Sequence, residues 1–244
     1  MVLVESIEMK KPGLIFVLIS GLLLSGCYDL TEELWINSDG SGRMKFTIGL
    51  AENLVAMIES SGKSADFCEN AIRDKSKIEN NDLVSSVSIS KYNEAGMLFC
   101  TIDISVTDFR HFKEVRNIAI EGDYDKYEFP FAIDDLGGGR IRISQDFTNL
   151  GRDDPKQSEM DKMGQEMAMA LMSPMLAGKY ITVIVHAPKI ESSNGAISAD
   201  NKTTTWKKPL IDLFRNPDQT HKFEMVLLRE VGLMDRIKSW WESV

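Results

Sequence analysis

The chain has 244 residues, of which 43% are apolar and 27% charged, and its 37 acidic against 28 basic residues leave a formal net charge of −9. That length holds one substantial domain or two small ones, and the composition is that of an ordinary globular chain. An acidic surface repels phosphate backbones and anionic headgroups, which argues against nucleic-acid binding and against a polybasic membrane contact.

In chain order, Lys10 and Lys11 form a short basic head, Gly13 to Leu23 an apolar run, and Leu24-Ser25-Gly26-Cys27 closes it. The run is about half of the roughly 20 apolar residues that a spanning helix needs, so it reads as a secretion signal that is removed and does not persist as an anchor. Glu5 and Glu8, ahead of the lysines, do not belong in a basic head, so translation is expected to begin at Met9. The closing residues resemble the lipobox of bacterial lipoprotein precursors. That resemblance implies that residues 1–26 are the signal peptide and that the thiol of Cys27 is acylated. Two or three acyl chains, at about 0.8 kcal/mol per buried methylene, make such an attachment effectively permanent. Because Tyr28 and not Asp follows Cys27, the same resemblance implies the outer membrane, facing the periplasm, in a cell with two membranes. Loss of residues 1–26 removes two lysines and two glutamates, so the imbalance of −9 stays with the mature chain.

Once Cys27 is acylated, Cys68 and Cys100 are the remaining cysteines. In an oxidising compartment they are a candidate disulfide, with two separate buried thiols as the alternative. A bridge would close a loop of about 30 residues, for which chain entropy gives about 3 to 4 kcal/mol.

The mature chain opens as a hairpin. Leu30, Leu34 and Ile36 alternate with Thr31, Glu33 and Asn37, Met44, Phe46, Ile48 and Leu50 alternate with Arg43, Lys45 and Thr47, and Ser38-Asp39-Gly40-Ser41-Gly42 between them is turn chemistry. Helical spacing follows at Leu54, Val55 and Ile58, and a second helix is expected after a Ser64 cap, with Phe67, Ala71 and Ile72 facing inward. A second hairpin runs through Leu83, Val84, Val87 and Ile89, a turn at Asn93 to Gly96, and Leu98, Cys100, Ile102, Ile104 and Val106. Thr107 and Asp108 then cap a short helix through Phe109, Phe112 and Val115. A third strand pair is expected from Tyr127 to Ile133 and from Arg140 to Phe147, joined by Asp134 to Gly139. The three glycines there lack the following Lys-Ser/Thr of a phosphate loop, so they read as a hairpin tip.

Asp154, Pro155 and Gln157 are capping chemistry for a helix that holds Met160, Met163, Met167, Met169, Met172 and Met175, six of the 13 methionines. Three readings compete: a helix that fills an irregular core, an adaptable apolar wall for a lipid in which Met160, Met163, Met167 and Met172 touch the ligand, and a soft-metal Cu(I) site. No His or Cys lies nearby in sequence to support the metal, and no metal or cofactor is expected. From Tyr180 to His186 both faces are largely apolar, which places that strand centrally in its sheet. Pro188 ends it, Asn194-Gly195 marks a turn, a short strand spans Thr203 to Trp206, a brief helix takes Pro209, Leu210, Leu213 and Phe214, and Phe223, Met225 and Leu227 form the last strand. Residues 232–244 set Leu233, Ile237, Trp240, Trp241 and Val244 on one face of an amphipathic helix, for packing or for a membrane or partner contact through Trp240 and Trp241.

The run Glu33-Leu34-Trp35-Ile36-Asn37-Ser38-Asp39-Gly40-Ser41-Gly42, the later run Ile181-Thr182-Val183-Ile184-Val185-His186-Ala187-Pro188, then Asn194-Gly195, Thr205-Trp206 and Pro209-Leu210, behind a lipobox, resemble the LppM-type bacterial envelope lipoproteins. The resemblance covers the two ends of residues 27–231 better than the middle. It implies an α+β domain, proposed to bind a lipid or glycolipid, and transfers no ligand residue. This chain departs from the pattern in having no apolar span after its final strand.

Taken together, the expectation is an α+β fold: an antiparallel sheet of successive β-hairpins with helices packed on it, a lipidated N-terminus and an amphipathic C-terminal helix. His111, His186 and His221 are scattered without metal-ligand neighbours at helical spacing, no Gly-x-Ser-x-Gly frame occurs, and the acid pairs Asp134-Asp135 and Asp153-Asp154 fall at a turn and a cap. No enzymatic activity is expected. The functional expectation is a lipid-anchored envelope protein that binds a lipid, glycolipid or other amphiphile. An envelope protein–protein module is the main alternative, and an envelope hydrolase or Cu(I) protein the lesser ones.

Overall fold

The computed structural model describes residues 28–60, 67–120, 130–148, 170, 173–174, 176–215 and 219–229. The opening hairpin pairs β1 (Tyr28–Ile36) with β2 (Gly42–Ala51) in register from Tyr28–Leu50 to Ile36–Gly42. Its tip is built by Asp39, whose carboxylate accepts hydrogen bonds from the Ser41 N–H at 2.9 Å and the Ser41 hydroxyl at 2.7 Å. Gly40, at φ +90°, takes a backbone conformation that a side chain would oppose.

After α1 (Glu52–Ser60) and α2 (Phe67–Glu79), the second hairpin joins β3 (Val84–Glu94) to β4 (Met97–Val106), and β4 pairs with β2 along ten residues. A 3₁₀ turn (Phe109–His111) capped by Asp108 leads into α3 (Phe112–Ile120). The third hairpin pairs β5 (Phe131–Gly137) with β6 (Arg140–Asp146). Its first strand runs on through Asp134 and Asp135, so the turn is shorter than expected and sits on Gly138 and Gly139.

The remaining strands are β7 (Tyr180–His186), β8 (Ile190–Ser193), β9 (Ala196–Ile197), β10 (Thr203–Pro209) and β11 (Lys222–Leu228), with α4 (Leu210–Arg215) after β10. They change the expected single antiparallel sheet in two ways. The described strands form two sheets, β3-β4-β2-β1-β7-β10-β9 and β5-β6-β11-β8, and β7 lies parallel to β1. Alternation in a sequence says which face of a strand is buried, not which distant strand lies beside it, so hairpins were legible and this long crossover was not. As expected, β7 is central, between β1 and β10.

One core joins the layers. Trp206 of β10 stacks on Phe147 at 5.3 Å and meets Phe223 of β11 edge-on at 6.5 Å, tying the large sheet to the small one. Fully burying a large apolar side chain is worth about 1.5 to 3 kcal/mol, so this trio is a principal weld between the sheets. On the other flank Cys68 of α2 and Cys100 of β4 form a disulfide with their Cα atoms 5.5 Å apart. The inner stripe of α2 is Cys68, Ala71 and Ile78, while Ile72, expected inside, is 49% exposed. Ile72 stands one residue, about 100°, round from Ala71, and the disulfide holds the Cys68 side of the helix against the sheet.

Candidate functional site

The large sheet has one face turned to the core and one turned away. The core face carries Leu34, Met44, Cys100, Val183 and Trp206. The register brings Ser90, Thr101, Thr47, Thr31, Thr182 and Lys207 into one row across six strands of the other face. Four residues further along, Arg43, Trp35 and His186 are neighbours. Arg43 lies 4.6 Å from the centre of the Trp35 ring and forms a two-pronged ion pair with Asp103, and His186 stacks on Trp35 at 5.2 Å. Both His186 nitrogens are engaged, Nε2 with Glu33 at 2.8 Å and Nδ1 with Thr203 at 3.1 Å. Carboxylate Oε1 of Glu33 is an acceptor, so Nε2 carries the hydrogen, and the imidazole is held in place by two partners and a ring. This is a rigid polar surface, with hydroxyls and ammonium groups to offer a ligand.

Two clefts open beside Lys207. The first, about 360 Å³, is lined by Asp29, Thr31, Lys179, Tyr180, Thr182 and Lys207, and the second, about 520 Å³, by Asn194, Thr205, Lys207, Lys208, Thr220 and Lys222 among others. The Lys207 ammonium sits 3.9 Å from the centre of the Tyr180 ring, so it leans toward the end of the sheet where β1 begins. Lys222 is paired with Glu224 at 2.8 Å. The floor of the second cleft is fixed by Asn194, whose amide donates to the Lys222 carbonyl at 2.7 Å and whose carbonyl accepts from the Glu224 N–H at 3.0 Å. Gly195 follows because a Cβ there would stand 2.8 Å from the Thr205 carbonyl oxygen. Ammonium groups beside hydroxyls suit an anionic or polyhydroxyl group.

A polar bridge crosses the core. Glu32 of β1, only 4% exposed, accepts a 2.7 Å hydrogen bond from the amide of fully buried Gln145 on β6, and its other oxygen is 3.5 Å from Arg116 Nε of α3. It ties the large sheet, the small sheet and a helix through one carboxylate.

Of the residues singled out from the sequence, Cys68 and Cys100 are brought together as a disulfide. Cys27, Met160, Met163, Met167, Met172, Trp240 and Trp241 lie outside the described residues. The histidines are more engaged than expected: His111 meets Glu114 one turn on at 2.6 Å, and His221 is buried. Asp134 pairs with Arg142 and Asp135 accepts from the Gly137 N–H, so both acids serve the hairpin. Among the described residues no group of three or more His, Cys, Asp or Glu side chains could hold a metal ion, and no helix is long and apolar enough to cross a membrane.

Sequence reasoning passed over Glu32, Trp35, Lys179, Lys207 and Lys208 as functional groups. For Glu32 a signal existed: an acid at the position that continues the inward series Leu30, Leu34, Ile36. The lysines gave none, since Lys179 meets Lys207 and Lys208 through the pairing of β7 with β10, and that group meets the start of β1 through the pairing of β7 with β1.

No protein-family model matches the chain, and no curated protein matches it. Among solved structures the fold is similar to the folded domain of LppM from Mycobacterium tuberculosis, determined by NMR, at 11% sequence identity and a TM-score of 0.47, covering 83% of this chain and 90% of that one. At that identity and TM-score the likeness assigns no residue a role and supports no statement about function.

Proposed function

We propose that the chain is an exported, lipid-anchored protein of the bacterial cell envelope, without enzymatic activity, that binds a lipid, glycolipid or other amphiphile. The observation that carries this reading is the junction at Cys27. The basic head, the short apolar run and Leu24-Ser25-Gly26-Cys27 end directly at Tyr28, the first residue of β1, and β1 lies inside the seven-stranded sheet. Adjacent Cα atoms are about 3.8 Å apart, so an acylated Cys27 would hold the folded body against its leaflet with no spacer. A body so tethered meets what lies at the bilayer surface, which favours a lipid ligand over a distant partner. The Cys68–Cys100 disulfide supports an oxidising compartment outside the cytoplasm. Met160, Met163, Met167 and Met172 offer an apolar chain adaptable contacts.

The test is to extract the mature protein in detergent, separate it from bulk lipid and identify by mass spectrometry what stays bound. One lipid or glycolipid class should be enriched well above its share of the membrane, and Met163→Glu with Met167→Glu should abolish the enrichment. Lipid in the proportions of the bulk extract, together with a copurifying envelope protein, would replace this reading with that of a docking module.

A further inference from the structure

We propose that Lys179, Lys207 and Lys208 seat one corner of the domain on anionic headgroups of the leaflet that holds the Cys27 anchor, so that the protein stands on its membrane in a fixed orientation. The inference rests on the lipid-anchored reading above and adds a surface and a partner to it. Its geometric basis is the parallel pairing of β1 and β7. Leu30 is in register with Ile181, which places Asp29 beside Tyr180, and Tyr180 pairs in turn with Pro209, Ile181 with Lys208 and Thr182 with Lys207. The cleft that holds Lys179 and Lys207 is therefore walled by Asp29, two residues after the acylated cysteine. Lys208 lies beyond Lys207 on the wall of the second cleft.

Charge supports the same end. Across the two clefts the cations are Lys179, Lys207, Lys208 and Lys222, against Asp29 in the lining and Glu224 on Lys222. A surplus of positive charge thus stands beside the tether of a chain whose formal net charge is −9. Besides Asp29, the acids at this end of the large sheet are Asp212 of α4, just after Pro209, and Glu52 and Glu94 around Met97, against whose sulfur the Lys179 ammonium lies at 3.9 Å. Lys207 and Lys208 stand on β10, away from Glu52 and Glu94, so attraction there tilts the body toward that edge. Net charge averages over the whole surface, whereas a tethered protein presents one end of it to the lipid. At physiological salt the interaction of exposed charges decays over about 8 Å, so that end decides it.

The experiment uses the mature acylated protein in vesicles of phosphatidylcholine, with and without a minority of phosphatidylglycerol. It reads flotation and the labelling of each lysine by an amine-reactive reagent. With the anionic lipid present, labelling of Lys179, Lys207 and Lys208 should fall by roughly fivefold, the effect of about 1 kcal/mol per lysine near an anionic leaflet. Lys113 and Lys202, elsewhere on the fold, should label as in detergent. High salt, or the variant Lys207→Gln with Lys208→Gln, should remove the protection while flotation persists. Flotation with equal labelling in both kinds of vesicle would overturn the orienting role and leave the anchor standing. A mature protein that does not float would overturn the anchor, and this proposal with it. Protection found only in native membranes, and absent from anionic vesicles, would assign the corner to a protein partner and overturn the lipid assignment.

Discussion

Glu32 shows what one residue can decide. A carboxylate in the core needs compensation from its neighbours, and here Gln145 supplies a hydrogen bond and Arg116 an opposite charge 3.5 Å away, from two other elements. Replacing Arg116 with Leu should destabilise the fold by about 3 to 5 kcal/mol, because it leaves a buried charge without its cation, and the double change with Glu32→Leu should recover most of the loss. Denaturant midpoints of the two variants against the parent measure this, and equal losses in both would deny the coupling. Asp108 offers a pH test. It caps the 3₁₀ turn, and hydrogen bonds from the Arg110 side chain hold its carboxyl below the usual carboxylate range, with the Arg110 N–H helping against the cost of burial. A depressed folded-state pKa stabilises at pH values above the unfolded value and loses that contribution as pH falls through the folded one. Asp108→Ala should therefore cost about 1 kcal/mol at neutral pH, and its gap to the parent should close below about pH 4, as read from thermal midpoints across pH. The Asp108 cap was legible in the sequence because it is local chemistry. The bridge was not, because Glu32 and Gln145 are 113 residues apart and nothing local connects them.

At the scale of elements, the same division separates hairpins from crossovers. Alternating apolar residues around Asp39-Gly40, Ala95-Gly96 and Gly138-Gly139 set out three hairpins whose partners are sequence neighbours. The pairing of β1 with β7 and of β6 with β11, and hence the division into two sheets, joins strands far apart in the chain, which local alternation does not specify. Two contacts that hold elements together can be tested singly. Gly42, at the start of β2, lies under the ring of buried Phe112, and a Cβ there would stand 2.5 Å from it. Gly42→Ala should cost about 1 to 3 kcal/mol by overpacking, seen as a lower denaturation midpoint. The Cys68–Cys100 disulfide, whose ends are 32 positions apart, should contribute about 3 to 4 kcal/mol. Urea unfolding with and without reductant measures it, and coincident curves would refute it.

For the whole molecule, net charge does not say where on the surface the charges lie. A formal −9 suggested a body that keeps clear of anionic surfaces, yet the fold gathers Lys179, Lys207 and Lys208 beside the first residues of β1. The proposed signal and its closing cysteine can be read from sequence because export machinery reads linear sequence, while the surface that would face the membrane exists only after distant strands pair. Everything functional proposed for this chain depends on the bond between Cys27 and lipid. The direct measurement is the intact mass and N-terminal fragment spectrum of the protein purified from membranes, with palmitate feeding as label. A mature chain that starts at Cys27 and carries acyl chains there, with no label and no membrane fraction for Cys27→Ser, is the expected result. An unmodified Cys27, or a variant that fractionates with the membrane like the parent, would contradict it.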